Sequence, residues 1–571
     1  MCSGREIGVK ALTYEQVREM LLACADRIER NELYLSRADA AIGDGDHGTG
    51  MVNGMNAARE VLEKEAEGTD IHKLYADMAS AMEAAMGGAS GMIFSTLFAG
   101  DAKDRKAITE MTTEEFADRM AAGLKAIQDL GHAQPGDKTM VDALYPAVEA
   151  LKAHVGDSFE DMLTAAAEAA KAGMEESKKY VAKFGRAKNL MERAIGHQDA
   201  GASSTWLIFQ EMADFVTGKK TPDPDPESVG QEKKNGPVEL ISKKIINDPK
   251  DVVKECGEGF LAAFGDEFMG VPGVQGFVKR NIPDGKTALL VGGGSGHEPM
   301  FGFFLGENLA DAAANGNIFA SPDPITIASV ARAANRGAGV LFVYGNYAGD
   351  ILNFDKAAEM LAEEGIEVKT VLSMDDVASA PKERRTDRRG IAGDVFIVKI
   401  AGAACAKLPL NEAFRVTEKA RDSIFSIGVA LQGATLPGKS EPIFTLGADE
   451  MEYGLGIHGE PGIRRVKLQP ADEIVTELVD ALLADSGITA GDEVATYVNS
   501  LGSTTLMELM IMNRKLRQLL EEKGIKIHNM EVGSHVISQE MAGASISLLK
   551  LDEELKEYYD MPCKSPFYQR G

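Results

Sequence analysis

The stretch 218–238 most constrains what this chain can fold into. It runs Gly218-Lys-Lys-Thr-Pro-Asp-Pro-Asp-Pro-Glu-Ser and onward to Pro237. Alternating proline holds a backbone extended and hydrated, so the stretch reads as a linker rather than as part of a core. The patterning differs on its two sides, which predicts two folded bodies of different architecture. Residues 1–218 form one, 219–238 connect, and 239–571 form the other. At 571 residues the chain exceeds a single core, and roughly three or four domains or subdomains are expected from length.

Before the linker, apolar residues recur at spacings of three and four over 14–31, 55–67, 72–87, 113–130, 139–153 and 158–180. That period predicts an all-α domain of about eight helices, with glycine-rich motifs at helix junctions. After the linker, short apolar runs end in glycine-rich turns and lead into helical stretches. The runs begin at Thr287, Gly339, Val368, Asp394, Phe425 and Glu493. Buried strands alternating with helices predict an α/β domain, with two subdomains. Ligands of such sheets sit beyond the strand carboxyl ends.

In the helical half, three aspartates fall within eight residues, Asp39, Asp44 and Asp46, separated by glycines. Carboxylates that close repel one another unless a cation joins them. Mg²⁺ suits them, and it usually carries substrate phosphates as well. The alternative is a solvated acidic turn; the spacing does not fit an EF-hand loop. Gly87-Gly88-Ala-Ser90-Gly91 is either a phosphate-holding helix start or a packing turn. Gln134-Pro-Gly-Asp137-Lys138-Thr139-Met140 starts another helix, and capping accounts for part of it. Arg186 offers a cation, and Asp199 a further glycine-framed acid. No Walker A sequence is present.

In the α/β half, Gly292-Gly-Gly294-Ser295-Gly296-His297-Glu298-Pro299 follows a predicted strand. Ile457-His458-Gly-Glu460-Pro-Gly462 frames a second histidine in nearly the same setting. Histidine can act as base or nucleophile near neutral pH. Gly345-Asn346-Tyr347-Ala-Gly-Asp350 puts a carboxylate at a strand end, where catalysis and helix N-capping are equally good readings.

Composition sets the surroundings. Net charge is -27, a surface that repels nucleic acid and anionic membrane. The five cysteines are scattered with no C-x-x-C pair, so neither a disulfide framework nor a zinc site is indicated. With no signal pattern and no membrane-length apolar run, a cytoplasmic enzyme is expected.

Taken together, the motifs resemble those of the dihydroxyacetone kinase family over nearly the whole chain. Residues 1–218 resemble its nucleotide-binding L domain, and 239–571 its substrate-binding K domain. The resemblance implies that the helical half is an antiparallel helix barrel in which Asp39, Asp44 and Asp46 hold two Mg²⁺ ions bridging ATP phosphates. Ser90, Thr139 and Met140 would lie along phosphate and adenine, with Arg186 near the nucleotide and His47, Gly88 and Asp199 in the same site. In the other half, His458 would add to a ketone as a covalent hemiaminal, Asp350 would take the proton of the attacking hydroxyl, and His297 would polarise the substrate. Gly294, Ser295, Gly296 and Asn346 would line the ketose. A homodimer with L and K domains facing across chains is implied too. Alternative activities in the family are FAD-AMP lyase chemistry and ketose-sensing regulation.

Three departures stand out. Gly50 replaces a common Asn, the L domain precedes the K domain, and Gly345 stands where family members specific for dihydroxyacetone carry Lys. Loss of that side chain is expected to vacate volume for a longer ketose such as erythrulose. ATP rather than a phosphotransferase-system carrier is the expected donor.

Overall fold

The structure, a computed structural model, describes residues 8–43, 45–65, 68–86, 88–100, 105–229 and 244–571, with the side chains of Arg186, Asn189 and Glu227 excepted. The chain divides into two compact units, Met1–Asn235 and Gly236–Gly571.

Among the described residues the first unit contains helices α1 (Tyr14–Arg30), α2 (Glu32–Ala40), α3 (His47–Lys64), α4 (Ile71–Met86), α5 (Gly88–Ala99), α6 (Thr113–Gly131), α7 (Val141–Ala153), α8 (Phe159–Glu176) and α9 (Ala200–Thr217). A two-stranded antiparallel ribbon, β1 (Ala11–Thr13) with β2 (Glu110–Thr112), leads into α1 and α6. Both of those helices start on a threonine whose hydroxyl accepts a backbone N–H: Thr13 from Gln16, and Thr112 from Glu115. From α3 to α9 each helix packs on the next, and α1 packs on both α9 and α3. The ring therefore closes into a helix barrel, with α2 laid against α3 and α9. One continuous core, including Val17, Met51, Phe94, Phe116, Leu144, Phe159 and Trp206, fills it.

The second unit carries β3 (Phe268–Gly270), β4 (Gly276–Lys279), β5 (Ala288–Ser295), β6 (Ala312–Ile318), β7 (Val340–Gly345), β8 (Val368–Ser373), β9 (Ile424–Gln432), β10 (Glu450–Tyr453), β11 (Arg464–Lys467), β12 (Glu493–Ser500), β13 (Lys526–Gly533), β14 (Ala542–Leu551), β15 (Cys563–Lys564) and β16 (Gln569–Arg570). Its helices are α10 (Val252–Phe264), α11 (Pro324–Ala334), α12 (Ala348–Glu363), α13 (Asp394–Lys407), α14 (Leu410–Asp422), α15 (Ala471–Ser486), α16 (Leu506–Glu522) and α17 (Glu553–Tyr559). One six-stranded sheet has the order β3-β4-β6-β5-β7-β8, and β6, β5, β7 and β8 run parallel within it. The other has the order β11-β10-β9-β14-β12-β13 and is antiparallel except for β12 with β13. A shared core that includes Leu289, Val343, Phe396, Tyr497 and Tyr559 joins residues of both sheets.

One element differs from expectation. The run from Asp394, read as a buried strand, is α13. Its burial is continuous from Asp394 to Cys405. A helix buried on all sides and a buried strand share the same unbroken apolar pattern, and here the length of the run decides for helix. No helix among the described residues is long and apolar enough to cross a membrane.

Candidate functional site

The aspartate loop of the helical unit joins α2 to α3. Asp39 closes α2, and its Oδ2 accepts N–H bonds from Gly45 at 2.8 Å and His47 at 3.4 Å. Asp46 is the N-cap residue of α3. His47 is buried, with Nδ1 3.2 Å from Ser90 Oγ on α5 and Nε2 2.7 Å from Ser204 Oγ on α9. This imidazole gathers the starts of three helices, whose N–H groups favour anions. Burial first pushes its pKa down, against the pull of the Asp39 and Asp46 charges.

Asp199 caps α9 by accepting the Ala202 N–H at 2.7 Å. Its carboxyl is pushed up to about 7, by burial first and then by charges that include Asp142 and Asp39. Met140 stands before α7, and a Cβ on Gly201 would lie 3.2 Å from Met140 Cβ. That close approach brings the Thr139–Met140 turn to the head of α9. Thr139 itself accepts from Val141 N–H and donates its own N–H to Asp142. Lys138, buried, donates to the carbonyls of Ser177 and His197 and ties this turn to the Gly196–Asp199 motif. Ile42 packs with Ala182, Ala187, Leu190 and Ala194, so the segment that begins at Arg186 lies against the aspartate loop.

Gly88 opens α5 with φ +61°, and nothing stands within 4 Å of where its Cβ would be. Asp44 and Gly87 lie outside the described residues, and so does the side chain of Arg186. Among the described residues no three metal-capable side chains converge. The donors nonetheless fit Mg²⁺ and phosphate: oxygen ligands, crowded carboxyl groups and helix-start N–H groups.

The second unit builds its site at the carboxyl ends of β5, β6, β7 and β8. His297 follows β5, Phe319 follows β6, and Tyr347 and Asp350 follow β7. His458 reaches them from the segment between β10 and β11. The His297 ring stacks on Phe319, centroids 4.9 Å apart, and meets His458 edge-on at 4.9 Å. Tyr347 meets His458 edge-on at 4.8 Å. Asp350 is buried in the first turn of α12.

Both imidazoles have their tautomers set by a partner. His297 Nδ1 is 2.7 Å from the Ile537 carbonyl, which can only accept, so Nδ1 carries the proton and Nε2 a lone pair. His458 Nδ1 is 3.0 Å from Glu460 Oε1, while Glu460 Oε2 accepts the His458 backbone N–H at 2.9 Å. A carboxylate there again puts the proton on Nδ1. Arg389 stands behind Glu460 at 3.9 Å and binds Asp376 through Nε and Nη2 at 3.0 and 2.7 Å. Asp376 and Phe319 were not singled out from sequence; Glu460 and Arg389 stand in the motifs Ile457-His458-Gly-Glu460-Pro-Gly462 and Arg388-Arg389-Gly390 but were given no role there.

Several expected ligands turn out to build the walls. Ser295 donates its hydroxyl to the Gly316 carbonyl at 2.8 Å. Asn346 commits its amide hydrogens to the Thr386 and Arg388 carbonyls, at 2.9 and 2.7 Å, and so pins the loop before α13. Gly294 is needed because a Cβ would lie 2.8 Å from Ala320 N. Gly296 has φ +103°, and its Cβ would meet the Phe319 ring at 2.8 Å.

At Gly345 even the first side-chain carbon would be crowded. A Cβ there would stand 2.9 Å from Cδ2 and Cε2 of Tyr347, whose hydroxyl donates to the Gly390 carbonyl at 2.9 Å.

Comparison with known proteins follows the same division. The DAK2 domain family matches residues 41–214 and the Dak1 domain family residues 258–567. The chain is similar to the dihydroxyacetone-binding subunit DhaK of PTS-dependent dihydroxyacetone kinase 2 from Listeria innocua. Identity is 42% over 330 residues, 57% of this chain and 99% of that protein. It is 43% identical over 333 residues to the L-erythrulose kinase of Pectobacterium atrosepticum, covering 57% of this chain and 56% of that enzyme's length. The solved dihydroxyacetone kinase of C. freundii in complex with AMP-PNP and Mg²⁺ superposes with a TM-score of 0.53 at 29% identity, over 57% of this chain and 61% of that one.

Proposed function

This chain belongs to the dihydroxyacetone kinase family, with both of that family's domain types present, and from that premise we propose that it phosphorylates a terminal hydroxyl of a short-chain ketose with ATP. The observation that carries the reading is the buried, edge-on pair His458 and His297, each with its proton on Nδ1, at the strand ends where Asp350 lies in the first turn of α12.

His458 Nε2 adds to the ketone carbon. The carbonyl π bond breaks, a C–N bond forms, and the ketone oxygen takes up a proton from solvent to become a hydroxyl, leaving the ring as an imidazolium with its proton still on Nδ1. The positive charge gained by the ring is balanced by Glu460 at Nδ1. A polyol such as glycerol has no carbonyl and cannot be held this way. His297, with its lone pair on Nε2, accepts a hydrogen bond from a substrate hydroxyl and so polarises the bound substrate. Asp350 takes the proton of the terminal hydroxyl during attack and holds that oxygen in line.

In the helical unit Asp39 and Asp46, with Asp44, would hold Mg²⁺. His47, Ser90, Thr139, Met140 and Asp199 would shape the nucleotide site. When bound, Mg²⁺-ATP supplies the phosphoryl group and neutralises its charge.

The test is ADP release with dihydroxyacetone, D- and L-erythrulose and glycerol, in the absence of any phosphotransferase-system protein. Turnover of a ketose and none of glycerol is expected, and His458→Ala should abolish it while nucleotide still binds. Full activity in His458→Ala, or equal turnover of glycerol, would refute the reading.

A further inference from the structure

Asp394 is the first residue of α13, 1% exposed, and neither of its carboxyl oxygens has a hydrogen-bond partner. Buried carboxyl groups are rarely left so, and an unmatched one marks a place where something else supplies the partner. Among its neighbours only the Ser373 hydroxyl comes near enough to act on it as a donor, lowering its pKa against the burial that raises it. Ser373, at the end of β8, gives its single hydroxyl proton to Asp375 Oδ1 at 3.0 Å. Asp375 also accepts the N–H groups of Ile391 and Gly393, each at 2.9 Å, and is fully satisfied as a carboxylate. Gly345 and Gly390, which adjoin this corner, bring no side chain. Burial first, and then the charge of Asp375, push the Asp394 carboxyl well above its ordinary range, and the Asp350 charge pushes the same way. The shift favours the protonated carboxyl. In that form it offers one donor and one acceptor, and it lies near enough to Asp350, the proposed base, for the two charges to interact.

We propose that Asp394 determines substrate specificity, hydrogen-bonding through its carboxyl group the additional hydroxyl that a four-carbon ketose carries beyond dihydroxyacetone; this rests on the ketose-kinase reading above. A hydroxyl both donates and accepts, which matches a protonated carboxyl group. In dihydroxyacetone one hydroxyl faces Asp350 and the other lies across the captured carbonyl. A tetrulose carries a third hydroxyl, on the carbon between the captured carbonyl and one terminal hydroxyl. With that terminal hydroxyl at Asp350, the third one lies beside it, at Asp394. Tyr347 crowds the first side-chain position at Gly345, so a matched hydrogen bond at Asp394 is the stronger source of a preference for a longer ketose.

The test compares the wild type with Asp394→Ala and Asp394→Asn on dihydroxyacetone and both erythrulose enantiomers, by kcat/KM and by calorimetric ketose binding. The ratio of the preferred erythrulose to dihydroxyacetone should fall about tenfold in Asp394→Ala, the scale of one lost hydrogen bond to substrate. Asp394→Asn, which keeps a donor and an acceptor, should restore most of that ratio. Melting of Asp394→Ala should stay close to that of the wild type, since Ser373 keeps its bond to Asp375. An unchanged ratio, or an equal loss on all ketoses together with a lowered melting temperature, would overturn the proposal and leave Asp394 a packing residue. If the wild type turns over no ketose, the kinase reading fails by itself, and the binding ratio still decides for or against Asp394.

Discussion

Glu460→Gln should separate capture of the ketone from everything else the second unit does. The glutamate makes two contacts with the same residue, Oε1 to His458 Nδ1 at 3.0 Å and Oε2 to the His458 backbone N–H at 2.9 Å. An amide of identical shape can serve only one of them. If its oxygen accepts the backbone N–H, its NH₂ faces Nδ1, forces the lone pair there, and moves the proton to the nucleophilic Nε2. If its oxygen accepts the Nδ1–H, its NH₂ points at a backbone donor. Either arrangement loses a hydrogen bond to a charged group, worth about 1.5–3 kcal/mol, and the second leaves a buried donor unmatched. The charge that balances the ring in the adduct is lost as well. A loss near 3 kcal/mol corresponds to roughly a hundredfold in the capture equilibrium and in kcat/KM. Folding should weaken by a similar amount, about 1.5–3 kcal/mol, since both contacts exist in the free fold, so capture is compared well below the melting temperature, where both proteins are folded. The assay follows carbon-labelled dihydroxyacetone by NMR, as the ketone signal gives way to that of a tetrahedral carbon, alongside steady-state kinetics. A variant that captures ketone as fully as the wild type, or whose kcat/KM stays within about threefold, would refute the tautomer argument.

Two further outcomes concern the helical unit. Asp199 titrates at about 7 in the fold and near 4 when unfolded, so the folded state holds the proton more tightly. Stability should fall as pH rises from about 4 to 7 and then level off. In metal-free buffer Asp199→Asn should therefore raise the melting temperature at pH 8 and leave it unchanged near pH 4; equal shifts at both would show that its charge is not what matters. Mixing Asp44→Asn with His458→Ala should restore ketose-dependent ADP release if the nucleotide half of one chain serves the ketose half of another in a dimer, whereas no recovery after demonstrated subunit exchange would assign service within one chain.

What could be read beforehand followed the physics of local pattern. The strands β5, β7, β8, β9 and β12 declared themselves because each apolar run is short and ends in glycine or a polar turn. The run at Asp394 did not, since an all-round buried helix hides its period. The histidines of the pocket were legible from their glycine frames, and the acids from their spacing. Their partners were not: Ile537, Phe319 and Asp376 reach the pocket from distant segments, and nothing in their neighbouring residues records which ring or carboxylate they will meet. The crowding of the Gly345 Cβ position by the Tyr347 ring was likewise invisible, because sequence does not say which way a neighbouring ring turns.

The glycines of the ketose site have a consequence for descent. A Cβ at Gly292 would stand 2.7 Å from the Ala314 carbonyl, at Gly294 2.8 Å from Ala320 N, and at Gly390 3.0 Å from Gly345 Cα. Backbone cannot step aside as the tip of a flexible side chain does, so point mutation cannot recut these walls without breaking the sheet. Inherited variation in what the site accepts is therefore channelled into the few side chains that project into it. A lineage exploring new ketoses would record its history at positions such as Tyr347 and Asp394, while the glycine frame around them stays silent.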